Sequence, residues 1–176
     1  MMATIQSQWL AEQDDLVHRG IADTTTLTET GRERVWQHMM SLGTESWLDT
    51  GDMQAADRLW DQAFAALTTN NTLLNKEIQT GCYDQLIADA AQRAPDADMH
   101  DQVSAIGLLL NVHHALRLVR RYHTKVSVEL HTDLAHDVDA TIVTAKQIHS
   151  IAPEHFIIKV PFTPSGLIAI RRLRED

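Results

Sequence analysis

One lysine stands inside an apolar run, Phe156-Ile157-Ile158-Lys159-Val160. A parallel strand covered on both faces is nearly all apolar, and a lysine is seldom buried without a partner or a task. Burial disfavours the ammonium form, so an inward-facing Lys159 is a candidate amine nucleophile able to form an imine with a ketone. The bland alternative is a strand-end lysine that snorkels to water. A second strand bears on the choice. Lys125-Val126-Ser127-Val128-Glu129-Leu130-His131 alternates, turning Val126, Val128 and Leu130 one way and Ser127, Glu129 and His131 the other. Imine chemistry that makes or breaks a carbon–carbon bond needs three groups: an amine, a carboxylate to shuttle protons for carbinolamine dehydration, and a second carboxylate to take the hydroxyl proton. Lys159, Glu129 and Asp49 are of the right types for these roles. Taken singly, Asp49 also suits an ordinary strand-to-loop turn.

These residues need a scaffold that delivers them to one place. Two helical stretches lead in, at about 5–20 and 28–42, each closed by a glycine, Gly20 and Gly43. Ser46-Trp47-Leu48-Asp49-Thr50 reads as a first strand, 57–64 as a short helix, and Ala65-Ala66-Leu67-Thr68-Thr69-Asn70 as a second strand. A helix with Leu74, Ile78, Cys82 and Leu86 on one face follows and ends before Pro95, with an acidic turn at Asp96-Ala97-Asp98. The next helix, about 101–122, carries Ile106, Leu109, His113, Leu116 and Val119 on one side and Arg117, Arg120 and Arg121 near its C-terminal end. The third strand is 125–131. A helix capped at Thr132 or Asp133 then buries Leu134, Val138, Ile142, Ala145 and Ile148. The fourth strand is 155–161, and a last helix from Ser165-Gly166 is expected to bury Leu167, Ile170 and Leu173. Strand–helix alternation of this kind implies a parallel sheet with helices outside it. Asp49, Asn70, Glu129 and Lys159 then all fall near the C-terminal ends of their strands, the end of a (β/α) barrel that carries active sites.

Composition narrows the function further. With 176 residues and 44% apolar content the chain suits one domain with a real core. A formal charge of −9 and the lack of a Lys/Arg run argue against nucleic acid as a partner. No stretch approaches the ~18 apolar residues of a membrane span. The single cysteine, Cys82, cannot form an internal disulfide, which fits a cytoplasmic location.

The strand motifs Trp47-Leu48-Asp49, Thr68-Thr69-Asn70, Val126-Ser127-Val128-Glu129 and Ile158-Lys159-Val160-Pro161-Phe162-Thr163 resemble, in order and spacing, those of transaldolases. Asp137 and the helix around Ala145, and Ser165-Gly166-Leu167 with Ala169, are similar to the family pattern too. Asn71 stands where that pattern has a proline. The resemblance implies an α/β fold, a partial (β/α)8 TIM barrel: residues 1–45 as a helical lead-in and 46–176 as the first four β/α units. It implies transfer of a dihydroxyacetone unit between sugar phosphates through a lysine Schiff base, in the pentose phosphate pathway, with no metal or organic cofactor. Lys159 would be the Schiff-base lysine, Glu129 the acid/base acting through water, and Asp49 the proton acceptor. Asn70, with Thr68 and Ser127, would contact substrate.

The later strands of the family barrel, with their serine and their phosphate-gripping arginine, lie outside these 176 residues, so the chain reads as an N-terminal half or fragment. Three readings compete on the same residues: the transferase, a fructose-6-phosphate aldolase-type lyase that releases free dihydroxyacetone, and a non-catalytic half barrel acting only in assembly. Open strand edges predict pairing or a homo-oligomer. The ten histidines offer no zinc spacing, neither at His131 with His136 nor at His113-His114. His113 is expected to be a hydrogen-bonded core residue, His131 an inward or rim residue near Glu129, Cys82 a core residue, and the arginine cluster a solvated helix end.

Overall fold

The computed structural model describes residues 2–21, 33–94 and 98–175. Four parallel strands form one sheet in the order β1-β2-β3-β4: β1 Ser46–Asp49, β2 Phe64–Thr68, β3 Lys125–Glu129 and β4 Phe156–Lys159. Helix α4, Met53–Leu59, links the first two strands. Helices α5 (Asn71–Ile78), α6 (Asp84–Arg93) and α7 (Met99–Tyr122) link β2 to β3, and α8 (Val138–Ile151) links β3 to β4. Helix α9, Pro164–Glu175, follows β4. Ahead of the sheet lie α1 (Met2–Ala11), α2 (Asp14–Val17) and α3 (Glu33–Ser41). This is an α/β architecture, a partial TIM barrel of four β/α units.

Alternation along the strands sorts the sheet into two faces. Leu48, Leu67, Val126, Val128, Phe156 and Ile158 face the helices and join the main core. That core is organised by α7, whose Leu109, Val112, Ala115, Leu116, Leu118 and Val119 are all buried. A helix of 24 residues buried on most of its circumference needs neighbours on several sides, and it has them in α1, α2, α5, α6 and β3. Helix α1 adds Trp9 and Leu10 to the same core and packs across α7 and α8. Helices α1 and α2 are therefore packed on the outer helical layer, while α3 lies against β1.

Several local expectations are corrected. The helix expected to run from Leu74 past Leu86 is two helices, broken at Gly81, whose φ of +81° suits glycine and ends the first helix. Cys82 lies in that break and is exposed instead of buried. The first lead-in helix is likewise divided, and the short helix after β1 starts at Met53 because the Asp52 side chain accepts from the backbone of Gln54 and Ala55. Phe64 belongs to β2. The cap of α8 is Asp137, accepting from Ala140, while Thr132–Leu134 makes a single 3-10 turn. Positions 28–32 and 95–97 of the predicted elements lie outside the described residues.

The last helix differs most in consequence. Its buried positions are Gly166 and Ala169, with Leu173 half-buried, and they pack on α8. Leu167 and Ile170, expected inside, are exposed, as is Ile168. Small residues win the inner stripe because the approach is close: a Cβ on Gly166 would fall 2.0 Å from the Pro161 carbonyl oxygen. The bulky residues are left on the exposed side of the helix.

Candidate active site

On the face of the sheet away from the helices, the β3–β4 register sets Ser127 opposite Ile157 and Glu129 opposite Lys159. The lysine and the glutamate are thus neighbours across one strand spacing, at the C-terminal ends of both strands. Lys159 is half-buried, and its Nζ donates to the backbone carbonyl of Thr69 at 2.9 Å. Glu129 accepts at Oε2 from the backbone N–H of Asn71 at 3.0 Å, while its own carbonyl accepts from the buried Asn111 side chain at 2.8 Å. Both candidate side chains therefore converge on residues 69–71, the junction of β2 and α5.

That junction is held from several directions. Asn70 is the N-cap of α5, its Oδ1 accepting from Leu73 N–H at 2.9 Å. The loop after β1 packs tightly against it: a Cβ on Gly51 would meet Leu73 Cβ at 2.9 Å and Thr69 Oγ1 at 3.0 Å. Thr50 N–H donates to the Thr68 carbonyl at 3.0 Å, tying the two strand ends together. Beneath Gly51 lies a buried polar cluster from the helices. Tyr83 Oη is 2.7 Å from His114 Nδ1 and accepts from Arg117 at 2.9 Å, so its own proton goes to His114. The His114 proton is then on Nε2, which lies toward the Gly51 backbone without making a hydrogen bond. Burial, helped by the Arg117 and His113 charges, pulls the His114 imidazole down to about 4. Burial pushes the Tyr83 phenol up to about 12.

The remaining predicted residues share the inward face but not the same level. Asp49, Thr68, Ser127 and Ile157 follow one another across the sheet in register, one inward layer below the Glu129–Lys159 pair. Asp49 is exposed on edge strand β1, Thr68 is half-buried and Ser127 is buried. Three strand spacings separate β1 from β4, about 14 Å of sheet. The structure sets Lys159 and Glu129 side by side in the β3–β4 register and Asp49 across the sheet from them.

His131 lies beyond the end of β3, exposed, with Nδ1 accepting from Asp133 N–H, and so is not an inward residue. His113 is buried with Nδ1 2.9 Å from the Val17 carbonyl oxygen, as expected of a core histidine. Arg117 is not a solvated helix end, since it serves the Tyr83 cluster. Among the described residues no group of three or more His, Cys, Asp or Glu is placed to hold a metal ion. None of the described helices is long and apolar enough to cross a membrane. Sequence reasoning missed Thr69 and Asn71, which act through backbone atoms that residue type does not advertise. It also missed the Tyr83–His114–Arg117 cluster, whose only trace was the adjacent histidines on an apolar helix.

Four parallel strands presenting a lysine and a glutamate together at their C-terminal ends define four consecutive units of a (β/α) barrel. The family model described as Transaldolase/Fructose-6-phosphate aldolase matches residues 46–176, and the chain belongs to that family. Similar relatives include the transaldolase of Xanthomonas campestris pv. campestris (strain B100), 31% identical over 137 residues that make up 73% of this chain and 42% of the relative. The transaldolase of Mycobacterium leprae (strain TN) is 30% identical over 150 residues, 75% of this chain and 38% of the relative. The transaldolase of Xanthomonas euvesicatoria pv. vesicatoria (strain 85-10) is 28% identical over 137 residues. The chain spans about two fifths of the length of the curated relatives it matches.

Proposed function

We propose that this chain carries the imine-forming part of a transaldolase-type site, acting on a ketose phosphate. The observation that supports this most directly is the Glu129–Lys159 register pair at the C-terminal ends of β3 and β4. The Lys159 amine adds to the ketone carbon to give a carbinolamine. Glu129, through a water molecule, supplies the proton with which the hydroxyl departs as water, leaving the iminium. Removal by Asp49 of the proton from the hydroxyl β to the iminium carbon breaks the bond between the α and β carbons, the electrons flowing into the iminium, so that the β carbon leaves as an aldehyde and a dihydroxyacetone enamine stays on the lysine. Asn70, Thr68 and Ser127 contact the substrate hydroxyls. Passing the three-carbon unit to an aldose phosphate completes a transferase cycle in sugar-phosphate metabolism; hydrolysing it gives the aldolase outcome. No cofactor enters either route, and a cytoplasmic site of action suits the substrates.

The test is borohydride trapping. The chain is incubated with fructose 6-phosphate, reduced, and weighed intact beside Lys159→Met. A stable mass increase confined to the parent is the expected result. A folded parent that gives no adduct overturns the proposal and leaves a non-catalytic half barrel of the same family.

A further inference from the structure

His114 is fully buried on α7, and the proposed chemistry does not use it. Its two ring nitrogens have different surroundings. Nδ1 takes the Tyr83 proton, because Tyr83 Oη already accepts from Arg117. The ring proton is left on Nε2, which faces the Gly51 backbone in the turn between β1 and α4 and has no hydrogen-bond partner. Gly51 favours the protonated ring, as a carbonyl acceptor does. A buried N–H is rarely left without an acceptor, so the carbonyl that this one faces is its natural partner.

Gly51 occupies a place where such a contact has consequences. It is buried against Thr69 and Leu73, and its neighbours are tied down: Thr50 N–H donates to the Thr68 carbonyl, and Thr50 Oγ1 accepts from Asp52 N–H at 3.1 Å. Asp49 is the last residue of β1, so the chain leaves it directly into this turn. The 69–71 junction, which receives Lys159 and Glu129, has supports of its own. Asn70 caps Leu73, Asn71 N–H donates to Glu129, and the Asn71 side chain donates to the Leu130 carbonyl at 3.4 Å. Loss of the His114 contact therefore falls on the Asp49 side of the site and not on the Lys159 side.

We propose that His114 is a positioning residue: held in one tautomer by Tyr83 and Arg117, it donates Nε2–H to the Gly51 carbonyl and so fixes the turn that carries Asp49. This role rests on the cleavage step assigned to Asp49, but it also has a readout that needs no activity. Nitrogen-15 spectra of the chain at pH 7 should show His114 as the neutral Nε2–H tautomer. Amide exchange at Thr50 and Asp52 should be about tenfold faster in His114→Phe, which keeps a ring but has no donor, while β3 and β4 amides exchange as in the parent. Tyr83→Phe, which releases the tautomer, should do the same and carries the test if His114→Phe does not fold. His114→Gln, with a donor of similar reach, should restore slow exchange. With fructose 6-phosphate, His114→Phe should slow aldehyde release about tenfold and leave the borohydride-trapped adduct within about twofold of the parent. An Nδ1–H tautomer in the parent overturns the proposal, as does exchange that is unchanged or rises everywhere in a folded variant, or a parallel fall of adduct and aldehyde. If the parent itself forms no adduct, the imine reading fails, and the tautomer and exchange results alone decide whether His114 braces the turn.

Discussion

Protonation of His114 should set the acid limit of this fold. The ring is fully buried, bonded to Tyr83 and close to the Arg117 guanidinium, so its charged form has neither water nor a counter-ion. Its pKa falls from 6.5 to about 4 on folding, burial being the largest cause. Between those values the unfolded chain takes up a proton that the folded chain refuses, so stability falls as pH falls from 6.5 towards 4 and is unaffected by this group above 6.5. The linkage amounts to about 2 kcal/mol lost between pH 7 and pH 5, and about 3 kcal/mol at and below pH 4. For a chain of this length 2 kcal/mol corresponds to roughly 4–8 °C in Tm. His113, also lowered chiefly by burial and partly rescued by its bond to the Val17 carbonyl, adds to the same slope. Urea unfolding at half-unit steps from pH 7.5 to 5 would measure it, beside His114→Gln, which retains a polar partner for Tyr83 but cannot titrate. The variant should be less stable at pH 7 and should lose distinctly less on acidification. Equal pH slopes for parent and variant would refute the reasoning, whatever the absolute stabilities.

Three further outcomes follow from named contacts. Gly166→Ala forces a Cβ against the Pro161 carbonyl and should destabilise the chain by about 1–3 kcal/mol, seen as a lower urea midpoint with an unchanged m-value. Asp52→Ala removes the acceptor for the Gln54 and Ala55 N–H groups and should cost about 1 kcal/mol, whereas Asp52→Asn should recover most of it. Asn71→Pro suits the first position of α5, where the family pattern also has a proline, so losing the N–H that Glu129 accepts from should change borohydride-trapped adduct formation by less than about threefold, as should Asn71→Ala.

The parts legible in the sequence were those governed by a short period. Two-residue alternation in 125–131 and 155–161 located β3 and β4 and their inward side, so the Glu129–Lys159 pairing could be anticipated. Glycine at Gly43 and at Gly20 ended elements as expected, because a positive φ is a local demand that a single residue meets. What escaped was set by distant neighbours. The four-residue spacing from Leu74 to Leu86 survives a break at Gly81, because two short helices can both turn apolar sides to α7, so periodicity alone could not reveal the interruption. In α9 the apolar pattern was real, but hydrophobicity does not say which stripe fits a close approach, and the inner stripe went to Gly166 and Ala169.

The geometry divides the proposed chemistry into two parts with different demands. Imine formation needs only an amine and a proton-shuttling carboxylate, and those sit on adjacent strands joined by parallel pairing and braced at 69–71. In the proposed route bond cleavage needs Asp49 as well, and Asp49 lies about 14 Å of sheet away on β1. Asp49→Asn should therefore leave borohydride-trapped adduct formation within about twofold of the parent while slowing release of the aldehyde by about a hundredfold or more. Equal loss of both rates would mean that Asp49 shapes the Lys159 pocket itself, and retention of both would mean that Asp49 is not the proton acceptor.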